Sequence, residues 1–97
     1  MAINVILELT AAPGKAQDIK SYFESILPET RTYPGYIDLH VLENLDDENN
    51  FVVYETWESR DAYQTYFNWR AEQGVFDKLG AMIVGQPSVR FLQDTGI

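Results

Sequence analysis

The sequence predicts an α+β domain whose elements follow in the order strand, helix, strand, strand, helix, strand. Three observations carry this. Ile3–Leu9 is apolar at nearly every position, which suits a strand buried on both faces. Two later stretches repeat apolar residues at helical spacing. Between them, two alternating stretches flank a polar turn, as in a hairpin. This order defines the split βαβ, ferredoxin-like arrangement, a four-stranded antiparallel sheet with both helices on one face.

The first strand closes at Pro13-Gly14, a turn signal. Lys15–Leu27 carries Ile19, Tyr22, Phe23, Ile26 and Leu27 on one helical face. Pro28 lacks an N–H and is expected to kink the helix or start a new turn. Tyr33-Pro34-Gly35 ends the element. In Tyr36–Glu43, alternation directs Ile37, Leu39 and Val41 one way and Tyr36, Asp38, His40 and Leu42 the other. Asn44–Asn50 reads as a polar turn. Phe51–Trp57 follows as the third strand, with Phe51, Val53, Glu55 and Trp57 on one face.

Ser59 is a predicted N-cap, and Asp61 suits the first turn of the helix that follows. That helix runs through Tyr63, Tyr66 and Arg70, and Gly74 interrupts it. Val75–Ile83 is a second helical piece, Gly85-Gln86-Pro87 a turn, and Ser88–Leu92 the last strand. Strands one to three carry apolar residues on both faces, yet the helices cover only one. The expectation is therefore a homodimer through the open sheet face, closing a dimeric α/β barrel.

The chain of 97 residues has the length of one domain, 1–97. Its net charge of −8 argues against nucleic acid and anionic membranes as partners. The absence of cysteine excludes disulfides, thiolate nucleophiles and Cys-ligated metals. The N-terminal apolar run has no basic n-region and is too short to span a bilayer, so a cytoplasmic location is expected. The acidic run Asp46-Asp47-Glu48 lacks the glycine and spacing of a calcium loop and reads as a solvated turn.

Several side chains are candidates for chemistry. Glu55 and Trp57 share a strand face, and a carboxylate beside an indole in an apolar pocket has the raised pKa of a general base. The structural alternative is a core tryptophan with Glu55 paired to Arg60 or Arg90. Tyr22, Tyr63 and Tyr66 lie on core-facing stripes, where hydroxyls can hold a phenol or enolate or simply complete the core. His40 is the one histidine, a base by its intrinsic pKa but a poor metal site without companions. Trp69 and Arg70 line a pocket mouth or a solvated helix face.

Pro13-Gly14-Lys15, the Tyr33–Tyr36 turn, the run Asn44–Ser59 and the closing Pro87–Leu92 together resemble the antibiotic biosynthesis monooxygenase (ABM) family. The likeness spans Ile3 to Leu92, and FVVYETWES is its most specific part. It implies a ferredoxin-like dimeric barrel. Its members include cofactor-independent monooxygenases of anthrones and quinols, haem-degrading oxygenases and an isomerase. The positions matching the haem-degrading members' Asn, Trp and His are here Leu7, Tyr66 and Gly80, so haem is not implied. The helix-two histidines of many members are replaced by Tyr66 and Val75.

The resemblance thus implies a homodimeric, cofactor-free oxygenase acting on a small aromatic substrate and dioxygen. Tyr66, Glu55 and Asn4 are the expected catalytic residues. Trp57, Tyr22, Tyr63, Trp69 and His40 are expected to bind substrate. A non-catalytic ligand-binding or stress-response dimer and a small-molecule isomerase are the alternatives.

Overall fold

The computed structural model describes residues 2–97. Strands β1 (Ile3–Thr10), β2 (Tyr36–Asn44), β3 (Asp47–Trp57) and β4 (Ser88–Leu92) form one antiparallel sheet in the order β2-β3-β1-β4. Helices α1 (Ala16–Thr30), α2 (Arg60–Glu72) and the short α3 (Val75–Gly80) complete the predicted βαββαβ order. β1 and β3 lie at the centre of the sheet, in register from Ile3↔Trp57 to Thr10↔Asn50.

Strand alternation sorts the residues onto two faces. Val5, Leu7, Leu9, Phe51, Val53 and Trp57 are all buried under the helices. α1 contributes Ile19, Phe23, Leu27 and Thr30 at helical spacing, and α2 contributes Tyr63, Tyr66 and Arg70. Ser59 caps α2 as predicted, its hydroxyl accepting from the Ala62 N–H at 3.0 Å.

Four local expectations are corrected. α1 continues through Pro28 to Thr30 without a break. Pro28 sits in the last turn on the exposed face, where its ring meets solvent and only one helical N–H is lost. Tyr36 shares the helix face rather than the open one. The register steps from Tyr36↔Trp57 to Asp38↔Thr56, so Ile37 is an extra, bulged residue and the alternation shifts by one. The polar stretch 44–50 is mostly strand: only Leu45 and Asp46 form the loop, and β3 starts at Asp47. Side-chain oxygens of Asn44 and Asp47 accept backbone N–H groups of Asp46 and Asn49 and hold this corner. The helix after Gly74 ends at Gly80, because Ile83 instead bridges Ala11 at the end of β1.

The open face of the sheet is less apolar than the strand patterns imply. Ile6, Leu42, Val52, Tyr54 and Leu92 lie there, but among Asn4, Glu8, Asp38, His40, Thr56 and Arg90. Gly35 fixes the seam between β2 and α2. Its φ is 90°, and an added Cβ would lie 2.6 Å from the Ala62 Cβ, so only glycine fits. Among the described residues, no helix is long and apolar enough to cross a membrane.

Candidate functional site

The site grows from two alternate residues of β3. Glu55 and Trp57 both point under the helices, 3% and 0% exposed. The Trp57 Nε1–H donates to Glu55 Oε1 at 3.0 Å. Burial pushes the Glu55 carboxyl up to about 7, and the indole hydrogen bond, which favours the anion, offsets only part of that.

α2 lays its tyrosines over this pair. Trp57 meets Tyr66 at 4.8 Å and Tyr63 at 5.7 Å between ring centroids. Tyr33 and Tyr36 close the other sides of the indole at 6.4 and 5.9 Å. Burial raises the Tyr63 phenol, and the Glu55 charge raises it further. Burial also raises Tyr66, but hydrogen bonds from Thr30 and Arg70 pull against it.

Arg70 is the surprise of α2. It is 2% exposed, and every guanidinium N–H is used. Nε donates to the Tyr66 hydroxyl at 3.0 Å. Nη1 donates to Glu29 Oε1 at 3.0 Å and Gln73 Oε1 at 3.1 Å. Nη2 donates to the Ile26 carbonyl and to Thr30 Oγ1, each at 2.7 Å. Thr30 Oγ1 is in turn 2.7 Å from the Tyr66 hydroxyl, which closes a three-membered ring of hydrogen bonds. α1 has no basic residue in its last turn. Arg70 supplies that cation from the neighbouring helix, against the negative end of the α1 dipole.

Two voids adjoin the cluster. A small cavity of about 30 Å³ is lined by Glu55, Tyr63, Tyr66 and Arg70 together with apolar side chains of β1–β3 and all three helices. A larger cleft of about 520 Å³ opens beside it between α2, α3, β1 and the segment leading into β4. That volume lies in the range of small-molecule sites. No charged side chain lines the cleft, and Gln86 is its one polar side chain. Leu7, Phe76 and Leu79 line both voids and form the partition between them.

The structure gathers Glu55, Trp57, Tyr63 and Tyr66 into one cluster, packs Trp69 against its edge, and leaves Asn4, His40 and Tyr22 outside it. Asn4 is on the open sheet face, where its Oδ1 accepts from the Thr56 hydroxyl at 3.1 Å, because even-numbered β1 residues point away from the helices. His40 is on that same face, exposed, 2.9 Å from Asp38 Oδ2. Tyr22 is half-buried below the Lys78 ammonium, and Trp69 stacks on Tyr33 at 4.9 Å; neither lines the cavity or the cleft. Glu55 pairs with neither Arg60 nor Arg90. Arg60 lies over the Phe91 ring and Arg90 reaches Glu8 on the far face. Arg70 is not solvated, and with all five N–H groups engaged it has none left for an anionic ligand. Thr30 and Glu29 were expected only as part of a further turn after a kink at Pro28, and no role was assigned to them. The buried stripe Ile19, Phe23, Leu27 nevertheless continues onto Thr30. No group of three or more His, Cys, Asp or Glu among the described residues has metal-binding geometry.

The family model described as Antibiotic biosynthesis monooxygenase matches residues 2–72, and the chain belongs to that family. Solved structures reproduce the fold at low identity. A conserved protein from Methanosarcina mazei Go1 superposes with a TM-score of 0.90 at 19% identity, over 98% of this chain and 94% of that one. SnoaB from Streptomyces nogalater, a cofactor-independent oxygenase, gives 0.84 at 16% identity, over 97% and 93%. Rv0793 from Mycobacterium tuberculosis gives 0.77 at 20% identity, over 97% and 95%. A search of curated proteins gives no match.

The raised carboxyl has a consequence for stability. Folding raises the Glu55 pKa from 4.5 to about 7, so the folded state holds the proton more tightly. The stability linked to it is complete below the unfolded value and is lost as pH rises through the folded one, a loss of roughly 3 kcal/mol. Glu55→Gln keeps an acceptor for the Trp57 N–H and cannot ionise. Chemical denaturation will find the variant close to wild type near pH ~4 and more stable by roughly 2–3 kcal/mol near pH ~8.

Proposed function

We propose that this protein is a cofactor-independent monooxygenase of a small aromatic substrate of the quinol or anthrone type. One observation carries the reading: a carboxyl group that titrates near neutrality lies beside a cavity adjoining an uncharged apolar cleft. A general base works best with its pKa near the working pH. Substrate carbon acids and phenols of this class need only a base and an exclusion of water to become electron-rich anions.

In this reading the substrate ring occupies the cleft against Phe67 and Phe76, which stack at 4.3 Å. The cavity has room for about one water molecule. In this reading the Leu7, Phe76 and Leu79 side chains part to join the two voids, and a water there takes the substrate's proton and passes it to ionised Glu55. The resulting anion gives its electrons to dioxygen. For a methylene substrate the sum is R₂CH₂ + O₂ → R₂C=O + H₂O, with one oxygen atom entering the product and the other leaving as water. Tyr66, held by Thr30 and Arg70, roofs the cavity beside Glu55 and keeps the carboxyl desolvated. The isomerase alternative wants a free cation for an anionic substrate; Arg70 has no N–H to spare, and Arg90 lies on the open sheet face beside Glu8.

Oxygen consumption with a panel of quinols and anthrones tests this. Uptake is expected to rise with pH through about 7 and to be lost in Glu55→Gln, a loss on the order of 10²-fold or more for removal of a general base. Uptake that survives Glu55→Gln unchanged contradicts the assignment. Tight binding of an aromatic with no turnover favours a ligand-binding role instead.

The functional unit in this reading is a homodimer through the open sheet face. Leu42, Tyr54 and Leu92 there are 50%, 39% and 46% exposed, and a second copy of the same face covers them in an isologous contact. Sedimentation velocity is expected to give a dimer for the wild type and a monomer for Leu42→Lys/Tyr54→Lys. A wild-type monomer contradicts it.

A further inference from the structure

Trp57 is connected to the surface by a run of oxidisable aromatic rings. Its indole, 0% exposed, lies 6.4 Å from Tyr33 and 4.8 Å from Tyr66 between centroids. Tyr66 lies 5.2 Å from Tyr33 and 6.0 Å from Trp69. Tyr33 and Trp69, both only partly buried, lie 4.9 Å apart. Tryptophan and tyrosine are the side chains here whose one-electron oxidation is accessible to dioxygen-derived radicals. Rings at these spacings are in van der Waals contact, close enough for an electron to pass between them. A core needs aromatic packing, but packing alone does not require that each ring be an oxidisable one.

The protons are also provided for. Loss of an electron from an indole makes its N–H strongly acidic, and Trp57 Nε1–H already donates to Glu55 at 3.0 Å. Tyr33 has no protein hydrogen-bond partner for its hydroxyl among the described residues, so water takes its proton. Arg70 lies 5.4 Å from the Tyr66 ring and 4.6 Å from the Trp69 ring and opposes a positive charge on either. The favoured resting places for an oxidising equivalent are therefore the two ends, Trp57 beside a carboxylate and Tyr33 beside water.

We infer that Trp57, Tyr33, Tyr66 and Trp69 form a redox chain that conducts single oxidising equivalents between the buried carboxylate site and the protein surface. As a protective outlet it rests on the oxygenase reading, in which a substrate anion and dioxygen generate radicals in the cleft, across the Leu7–Phe76–Leu79 partition from Glu55. A dioxygen-derived radical takes one electron from Trp57 and is itself reduced. The Nε1 proton passes to ionised Glu55, which leaves a neutral indolyl radical. Trp57 then recovers an electron from Tyr33 and its proton from Glu55. Tyr33 loses its phenol proton to water, and the tyrosyl radical is refilled by a thiol in solution, which is oxidised by one electron.

The chain runs in both directions, so it can be tested from outside without substrate or turnover. The full-length protein, at a pH where Glu55 is ionised, is exposed to a bulky photogenerated ruthenium(III) oxidant that cannot enter the core. Radicals are read by EPR and stable oxidation products by residue-resolved mass spectrometry. Oxidation of Trp57 is expected in the wild type despite its burial. Tyr36, partly buried and 5.9 Å from Trp57, is a third outlet. Oxidation of Trp57 is expected to be lost in Tyr33→Phe/Tyr36→Phe/Trp69→Phe, which keeps rings in place but removes all three outlets. Near-UV circular dichroism checks the fold, and if the triple variant is perturbed, each single variant is expected to show a partial loss. Trp57 left intact while Tyr33 and Trp69 oxidise overturns the proposal. So does Trp57 oxidation that persists undiminished in natively folded variants. Failure here leaves oxygen uptake untouched, and failure of oxygen uptake leaves this readout untouched.

Discussion

The buried guanidinium of Arg70 is the tie on which the helical layer depends. A desolvated cation costs several kcal/mol unless its hydrogen bonds and a counter-charge are supplied. Here Glu29, Gln73, Thr30, Tyr66 and the Ile26 carbonyl supply them all. Three of these acceptors belong to α1, one to α2, and one, Gln73, is the residue that caps α2. The two helices are thereby held at one relative position along their lengths, a constraint that greasy packing alone does not give. Because Glu29 is itself largely exposed, the ion pair sits at the rim, and the interior of the knot is held by neutral acceptors.

That tie determines the chemistry below it. With α2 fixed, Tyr66 and Tyr63 cover Trp57 and Glu55 and keep bulk water from the carboxyl. Exclusion of water is what moves Glu55 toward neutrality; its hydrogen bond to Trp57 opposes the shift and is too weak to cancel it. The pair therefore serves two ends at once. It fills the core under α2, and it stores a proton acceptor beside a cavity that adjoins an apolar cleft. A stability cost borne at one side chain is the usual mark of a functional position.

Much of this was legible in the sequence because it follows from periodicity. The strand and helix order, the Ser59 cap and the shared face of Glu55 and Trp57 all come from spacings of two and of three to four. The failures share a cause: single residues that shift or extend a pattern. The bulge at Ile37 turns Tyr36 toward Trp57, and no local residue type announces it. Pro28 is a helix breaker in general, yet in a last turn facing solvent it costs little, and the buried Thr30 was hidden behind it. Asn4 was attached to the site by its nearness along the strand, although parity alone directs it to the other face from Val5 and Leu7. Arg70 was readable in part, since it extends the Tyr63–Tyr66 stripe by one turn. What the stripe does not reveal is which acceptors await it, because these come from a helix forty residues earlier in the chain.

The central claim is that Glu55 is a buried carboxyl poised near neutrality, and its ionisation can be observed without reference to any substrate. The most direct measurement is an NMR titration of the side-chain carboxyl carbon in glutamate-labelled protein, with the Glu55 resonance assigned by its disappearance in Glu55→Gln. A midpoint at about 7 is the predicted result. A midpoint at the ordinary glutamate value of 4.5 would mean that water reaches the carboxyl, and the site as described would not exist.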